Sequence, residues 1–227
     1  MARKSQAERI IDTTLELAAE RGWSRLKLAA IAKASGISLA KLHDHFSSKA
    51  DILAAFMARI DGEVLENLDD EPDAGELPRD RIFEVVMRRL EILEPHKPAL
   101  KMIAKDMRDT PSDWGALCNA AARSQRWMLA GAGLEDYGLR GFIKVNGLAL
   151  VYSRVMRVWL EDDDPGLART MAELDRSLRR GERALKRAET PIALATAFFQ
   201  FGRAAWRQRG TGGPRPGQGA EQPGPQA

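Results

Sequence analysis

The sequence predicts an all-α protein, in which an N-terminal three-helix head with a helix-turn-helix is joined by a long helix to a C-terminal helical bundle. Apolar residues recur at three- and four-residue spacing through most of the 227 residues, which is the period of an amphipathic helix. No stretch alternates apolar and polar residues between turn signals, as a half-buried strand does. A glycine turn between two short apolar stretches near the N-terminus indicates the helix-turn-helix.

Helix signals divide the chain into four parts. We expect the helix-turn-helix head in residues 1–48, a connecting helix with an acidic linker in 49–76, and the bundle in 77–209. Residues 210–227 are rich in Gly, Pro and Gln with almost no apolar side chain, and we expect them to be disordered. The first helix predicted for the bundle begins at Pro78 and is stopped by Pro95, and the others span residues 98–107, 110–131, 139–160, 165–188 and 191–209.

The head contains the most informative stretch, Leu28–Leu53. Gly36 ends the first helix of this stretch, because a left-handed residue at a helix C-terminus is cheap only for glycine. Ser38 is a favoured N-cap for the next helix, Leu39–Phe46. Two helices around a short Gly-containing turn form a helix-turn-helix, whose second helix enters the major groove of DNA.

The long helix that leaves the head has its own start signal. Ser48 is followed three residues later by Asp51, which predicts a capping box with Asp in place of Glu. The apolar residues that follow at helical spacing are Ile52, Leu53, Phe56, Met57, Ile60 and Val64. They predict that one side of this helix is buried.

Charge is distributed unevenly along the chain, although the net charge is only +3. Residues 1–50 hold nine Lys and Arg against five acids, whereas residues 51–76 hold one base against nine acids. A positive N-terminal end suits binding to the DNA backbone. An ordinary solvated surface gives the same pattern, so charge alone leaves both interpretations open.

Cysteine usage and hydropathy indicate a cytoplasmic protein. Cys118 is the single cysteine, which suits a reducing compartment, and we expect it to be a buried packing thiol. The basic start is followed by no apolar segment of the kind that a signal peptide contains. The run Val145–Val151 is too short and too close to charged residues to span a bilayer.

Enzymatic and metal chemistry find little support in the motifs. The chain has no phosphate-binding Gly loop, no Cys-x-x-Cys pair and no Gly-x-Ser-x-Gly. His43 and His45 are expected on opposite faces of their helix, since two residues turn it by about 200°, and His96 is expected to be exposed in a loop. Asp162–Asp164 suit the N-terminus of a helix better than a cation site. We therefore predict no catalytic residue, no metal and no cofactor.

The helix-turn-helix residues also resemble a known family, the TetR-type bacterial regulators. The residues that carry the resemblance are Ile31-Ala32, Ser35-Gly36-Ile37-Ser38, Leu42, His45-Phe46 and Ser48-Lys49. Ile10–Trp23 is similar to the first helix of that family, and the match covers roughly residues 6–60. The resemblance implies a homodimer that binds a double-stranded DNA operator, with its interface within Leu139–Arg187.

This resemblance indicates which residues contact DNA, and three positions depart from the family pattern. The candidate DNA-binding residues are Lys27, Ser38, Lys41, His43 and Lys49. His43 and Lys27 stand where the family usually has a Tyr and a Thr that bind phosphates. Asp44 stands where the family has a neutral or basic residue, and its carboxylate would repel a nearby phosphate.

The C-terminal half resembles a second family, the ubiquinone-biosynthesis accessory lipid-binding proteins. The stretches that carry this resemblance are Arg88–Pro95, Met128–Gly131 and Trp159–Pro165, followed by Thr170, Leu174, Asp175, Arg176 and Leu178. It implies a bundle that holds an isoprenoid lipid and a last amphipathic helix in peripheral contact with a membrane. The candidate membrane-contact residues are Phe198, Phe199 and Trp206.

Large, adaptable apolar side chains in the bundle predict an apolar small-molecule or lipid effector. The candidate ligand-binding residues are Met102, Trp127, Met128, Phe142, Leu148, Tyr152 and Trp159; a filled core is the other interpretation. The contiguous helix-turn-helix favours a ligand-responsive DNA-binding regulator, a repressor. The alternative is an accessory protein of ubiquinone biosynthesis that binds lipid and reads no DNA.

Overall fold

The computed structural model describes residues 4–68, 75–107 and 114–185. Within these ranges the chain is helical and contains no strand, which confirms the predicted all-α class. The helices are α1 Gln6–Arg21, α2 Leu28–Ala34, α3 Leu39–His45, α4 Lys49–Glu66, α5 Pro78–Leu93, α6 Lys97–Asp106, α7 Trp114–Gly131, α8 Gly138–Trp159 and α9 at residues 168–185, with a 3-10 turn at Glu94–His96 between α5 and α6.

The chain divides into two units, Met1–Glu182 and Arg183–Ala227. Only residues 183–185 of the second unit are described. The predicted last helix at 191–209, its membrane-contact residues Phe198, Phe199 and Trp206, and the predicted tail at 210–227 lie outside the described residues. Of the helices that are described, none is both long and apolar enough to cross a membrane.

The first helix of the head begins earlier than expected, at Gln6 rather than Ile10. The reason is a capping box: the Glu8 amide donates to Ser5 Oγ at 3.2 Å, and the Ser5 amide donates to Glu8 Oε2 at 2.5 Å. The helix ends before Gly22, whose φ of +82° is a conformation that favours glycine. These caps fix the length of α1 on which the rest of the head packs.

The helix-turn-helix forms as the sequence predicts. Gly36 has a φ of +69°, and the amide of Ile37 behind it donates to the carbonyl of Ala32 at 3.0 Å, as in a Schellman ending. Ser38 caps α3 by accepting from the Lys41 amide at 3.1 Å. Helix α3, the second helix of the helix-turn-helix, is therefore fixed at its start by the turn that precedes it.

The start of α4 differs in one detail from the predicted capping box. Ser48 Oγ accepts from the Asp51 amide at 3.1 Å, as expected. The Asp51 carboxylate, however, accepts from the amide of Ser47 at 3.2 Å. The reciprocal bond therefore goes to the residue before the N-cap, and Ser48 itself is extended at φ −155° and ψ 168°.

Helix α6 joins the bundle to the head. At its end, Asp106 Oδ2 accepts from the amide of Ser24 at 2.9 Å and from its hydroxyl at 3.0 Å, and these bonds hold the pKa of Asp106 below its ordinary value. A side chain at Gly22 would lie 2.8 Å from the same oxygen. Glycine is therefore favoured at position 22 by its φ, and a Cβ there would displace the Asp106 carboxylate that binds Ser24.

The acids before α9 act as helix caps, in keeping with the interpretation drawn from the sequence. Asp162 is buried and accepts from the amide and hydroxyl of Thr170 at 2.9 and 2.7 Å. Asp164 accepts from the amide of Ala168 at 3.3 Å. Among the described residues, no group of three or more His, Cys, Asp or Glu side chains is placed to hold a metal ion.

Two expectations about single residues are wrong. His96 lies in the 3-10 turn and is half-buried, with its ring edge-on to Phe56 at 5.0 Å between centroids. Burial, followed by the charge of Arg59, holds the pKa of His96 below its ordinary value. Cys118 is exposed rather than buried, whereas the preceding residue of α7, Leu117, is buried in the core.

Candidate DNA-binding face and ligand cavity

The recognition helix α3 buries only Leu42. The other six of its seven residues are exposed, including Leu39, which keeps 52% of its surface accessible. One apolar anchor is enough to hold this short helix on the head, since Leu42 is 1% exposed. The remaining side chains are available to a partner.

Four of the five predicted DNA-binding residues lie on the surface of α2 and α3. Lys27 is the exposed N-cap residue of α2, and Lys41 and His43 are exposed on α3. Ser38 is exposed as well, but its hydroxyl oxygen is engaged as the cap of α3. The structure thus places Lys27 at one helix start and Lys41 and His43 on the recognition helix.

Lys49, the fifth predicted DNA-binding residue, is bound within the head. It is half-buried, its Nζ donates to the backbone carbonyl of Trp23 at 2.8 Å, and it lies 4.9 Å from the centroid of the Trp23 ring. The Trp23 side chain is fully buried. Lys49 therefore fastens the start of α4 to the α1–α2 loop.

Asp44 lies on the exposed recognition helix, where its carboxylate reduces the positive charge. Its Oδ2 is 3.4 Å from Lys41 Nζ, one turn away, and both side chains are more than half exposed. Pairs of this kind contribute little to stability. His45 beside it shares a hydrogen bond of 3.3 Å with Gln6 of α1, so α3 is also tied to the first helix.

The bundle contains an apolar cavity of about 360 Å³. Its lining comes from α4 to α8 and the residues at their ends: Leu53, Phe56, Met57, Arg89, Leu93, Leu100, Ile103, Ala104, Met107, Leu117, Cys118, Ala121, Tyr152, Ser153, Met156, Arg157 and Leu160. Of the seven predicted ligand-binding residues, Tyr152 alone is in this lining.

The other six predicted ligand-binding residues are placed elsewhere. Met128, Leu148 and Trp159 are buried in the core, and Trp159 is fixed there because its Nε1 donates to Glu94 at 3.1 Å. The remaining three are Met102, half-buried beside Gly22, Phe142, which is 65% exposed, and Trp127, which lines a smaller cavity of about 260 Å³.

A buried polar cluster lies beside the cavity, and sequence reasoning missed it. Arg89 and Asp61 are 2% and 5% exposed, and Arg89 Nη1 donates to Asp61 Oδ1. Ser124 Oγ donates to the same oxygen at 2.7 Å, and Arg89 Nε donates to the Tyr152 hydroxyl at 2.9 Å. The sequence contains one signal for this cluster, a charged residue within an otherwise apolar stripe. Arg89 lies between Val85 and Leu93 on α5, and Asp61 lies between Phe56 and Val64 on α4.

The cluster sets the ionisation of its members. Burial raises the pKa of Tyr152, against the opposing effect of Arg89, so the phenol stays protonated at neutral pH. Burial acts against the charge of Arg89, but the Asp61 carboxylate and the hydrogen bonds to Asp61 and Tyr152 outweigh it, so the pKa of Arg89 lies above its ordinary value. The cluster therefore holds a permanent guanidinium and a neutral phenol next to the cavity.

Comparisons with known proteins match the head. The family model of bacterial regulatory proteins, tetR family, matches residues 10–56, within the stretch on which the first resemblance rests. A search of curated proteins found no match. None of these comparisons supports the resemblance of the C-terminal half to the ubiquinone-biosynthesis accessory proteins.

Solved structures extend the comparison to most of the chain. A TetR transcriptional regulator from Nitrosomonas europaea has a TM-score of 0.59 at 21% identity, over 78% of this chain and 97% of that one. A TetR transcriptional regulator from Rhodococcus sp. RHA1 has a TM-score of 0.58 at 19% identity, over 78% and 94%. The Thermus thermophilus FadR, a TetR-family repressor in complex with lauroyl-CoA, has a TM-score of 0.51 at 19% identity, over 79% and 92%. The protein thus carries the N-terminal domain of the tetR family of bacterial regulatory proteins and has, over most of its length, the fold of TetR-family transcriptional regulators.

Proposed function

We propose that the protein is a cytoplasmic transcriptional repressor, which binds a double-stranded operator through α3 and releases it when an apolar ligand enters the bundle cavity. The observation that carries the proposal is the recognition helix, which exposes six of its seven residues within a tetR-family domain. A helix that reads the major groove needs exposed side chains of this kind. We infer a binding role rather than an enzymatic one.

A chain of contacts between the cavity and the head supports the ligand response. Ile103 of α6 lines the cavity, and Asp106 at the end of α6 binds Ser24 in the α1–α2 loop. Trp23 of that loop binds Lys49 at the start of α4. A ligand that shifts α6 therefore acts on the loop that carries α2, and the ligand and DNA must then change each other's affinity by the same factor.

A symmetric dimer is part of the proposal, because two half-sites need two heads. Leu139, Phe142 and Leu150 fall within one stripe of about 80° along α8. Phe142 and Leu150 are 65% and 63% exposed, and Leu139 is 48% exposed. An exposed apolar stripe on a helix favours contact with a second copy, and it lies within the interface range expected from the sequence.

Leu150→Glu is expected to shift the protein from dimer to monomer, because it places a charge within this apolar stripe. Light scattering at micromolar concentration measures the change. Leu77→Glu is the matched control, since Leu77 is an equally exposed leucine (56%) at the start of α5 and should leave the dimer intact. A monomeric unmodified protein at this concentration would count against the dimer.

Asp44→Asn is expected to tighten DNA binding by about two- to fivefold, because it removes an exposed carboxylate from the recognition helix. Fluorescence anisotropy with labelled operator DNA measures the affinity. Asp80→Asn is the control: Asp80 is also exposed and also has a basic partner, Arg79 at 3.3 Å, but it lies on α5. Equal effects of the two substitutions would show that overall charge, and not α3, is responsible.

Footprinting on the DNA upstream of the protein's own gene tests the proposed function. We expect protection of two half-sites with centres about 10 base pairs apart, or a multiple of that spacing, since two heads of a dimer meet one face of the duplex. An unrelated fragment of the same length is the control. Equal, unlocalised protection of both fragments would contradict an operator-binding role.

A further inference from the structure

The polar groups that line the 360 Å³ cavity are either hydrogen-bond donors or groups that already form a hydrogen bond within the protein. Two arginines, Arg89 and Arg157, belong to the lining, and no Asp or Glu among the described residues does. The Ser153 hydroxyl donates to the Leu150 carbonyl at 2.9 Å. The remaining polar side chains of the lining are the Tyr152 hydroxyl and the Cys118 thiol, which is a weak hydrogen-bond donor. The charge of this cavity is therefore positive.

The two arginines differ in how their charge is compensated. Arg89 is buried and paired with Asp61. Arg157 is exposed, and its Nε donates to the backbone carbonyl of Ser153 at 3.3 Å. Within the described part of the chain, Arg157 has no carboxylate partner, so its charge is the uncompensated one at the cavity.

Tyr152 provides a second donor. Its hydroxyl oxygen accepts from Arg89 Nε at 2.9 Å, so its own proton is left for another acceptor, and no described residue takes it. The raised pKa of this phenol keeps that proton in place at neutral pH. The cavity thus offers donors to a ligand but no acceptor of comparable strength.

We propose that the ligand of this cavity is an amphiphilic carboxylate, with its apolar body among Leu53, Phe56, Ile103 and Leu160 and its acid group bound by Arg157. The volume lies within the range of small-molecule sites, which are mostly apolar with a few polar groups that fix orientation. Arginine matches a carboxylate with two parallel N–H groups. This inference deepens the proposed function, because it rests on the same cavity and names the chemistry of the effector.

Calorimetry on the full chain with decanoate and 1-decanol, two probes with the same tail length, tests the proposal. We expect decanoate to bind about tenfold more tightly than 1-decanol or better, as one charge-assisted hydrogen bond implies. Arg157→Gln should remove most of that preference by weakening decanoate alone. Arg154→Gln is the matched control, because Arg154 is an exposed arginine of α8 outside the lining, and it should change neither affinity.

Equal affinities for the two probes, no binding of either, or an Arg157→Gln variant that keeps the preference would each overturn the proposal. Circular dichroism confirms that the variant is folded; because Arg157 is exposed, we expect no loss of helix. The measurement contains no DNA, so its outcome is separate from the footprint. Operator binding without decanoate binding would overturn this inference alone, and the reverse result would overturn the repressor alone.

Discussion

Replacing Asp61 with leucine is expected to lower the free energy of unfolding by about 3–5 kcal/mol, because it leaves the buried Arg89 guanidinium without its counter-ion. Arg89 is 2% exposed and donates to Asp61 and to the Tyr152 hydroxyl. Ser124 loses an acceptor in the same substitution. Chemical denaturation of the full chain measures the change.

A double substitution separates an unpaired charge from a general packing defect. Asp61→Leu combined with Arg89→Met is expected to cost much less than Asp61→Leu alone, since no buried charge remains. Asp175→Ala is the surface control: it breaks the exposed pair with Arg179, 2.9 Å apart, and should cost less than about 1 kcal/mol. An Asp61→Leu variant as stable as this control would contradict the assignment of a buried ion pair.

Local chemistry made the head predictable from the sequence. Gly36 adopts the left-handed conformation and Ser38 caps α3, as predicted. Both roles depend only on neighbours within five residues along the chain, so the sequence indicates them. The bond of Lys49, a predicted DNA-binding residue, to the Trp23 carbonyl spans 26 residues instead. No pattern among neighbouring residues indicates a partner so far away in the sequence.

The bundle cavity was harder to predict, for a physical reason. Periodicity tells which side of a helix is apolar, but an apolar side chain has three possible surroundings: a filled core, a cavity or the surface. Trp159 lies in the first, Tyr152 lines the second and Phe142 is on the third. All three lie on α8, and their spacing in the sequence does not distinguish these cases.

The buried cluster is the clearest case of long-range determination. Arg89 and Asp61 are 28 residues apart, and Ser124 is 63 residues from Asp61. Taken alone, each of these three residues is an ordinary charged or polar residue on an amphipathic helix. Only the packing of α4 against α5 and α7 brings them together, so the sequence offers at most two charges inside apolar stripes as a signal.

Lys41→Glu is expected to weaken operator binding by roughly 5- to 150-fold, the equivalent of about 1–3 kcal/mol, because it reverses a charge on the helix that enters the groove. Lys41 is exposed on α3, and its one acidic partner among the described residues is the equally exposed Asp44. Fluorescence anisotropy with the footprinted site measures the affinity. Lys101→Glu is the control, an exposed lysine of α6 that should leave binding nearly unchanged.

Recognition of DNA through α3 is tested by the salt dependence of operator binding, measured for the unmodified protein and for Lys41→Ala. We expect the unmodified protein to prefer the upstream site to unrelated DNA. For Lys41→Ala, the slope of log affinity against log salt should be shallower by about one, since one phosphate contact is lost. Equal affinity for the two DNAs, together with the same slope for both proteins, would contradict DNA recognition through α3.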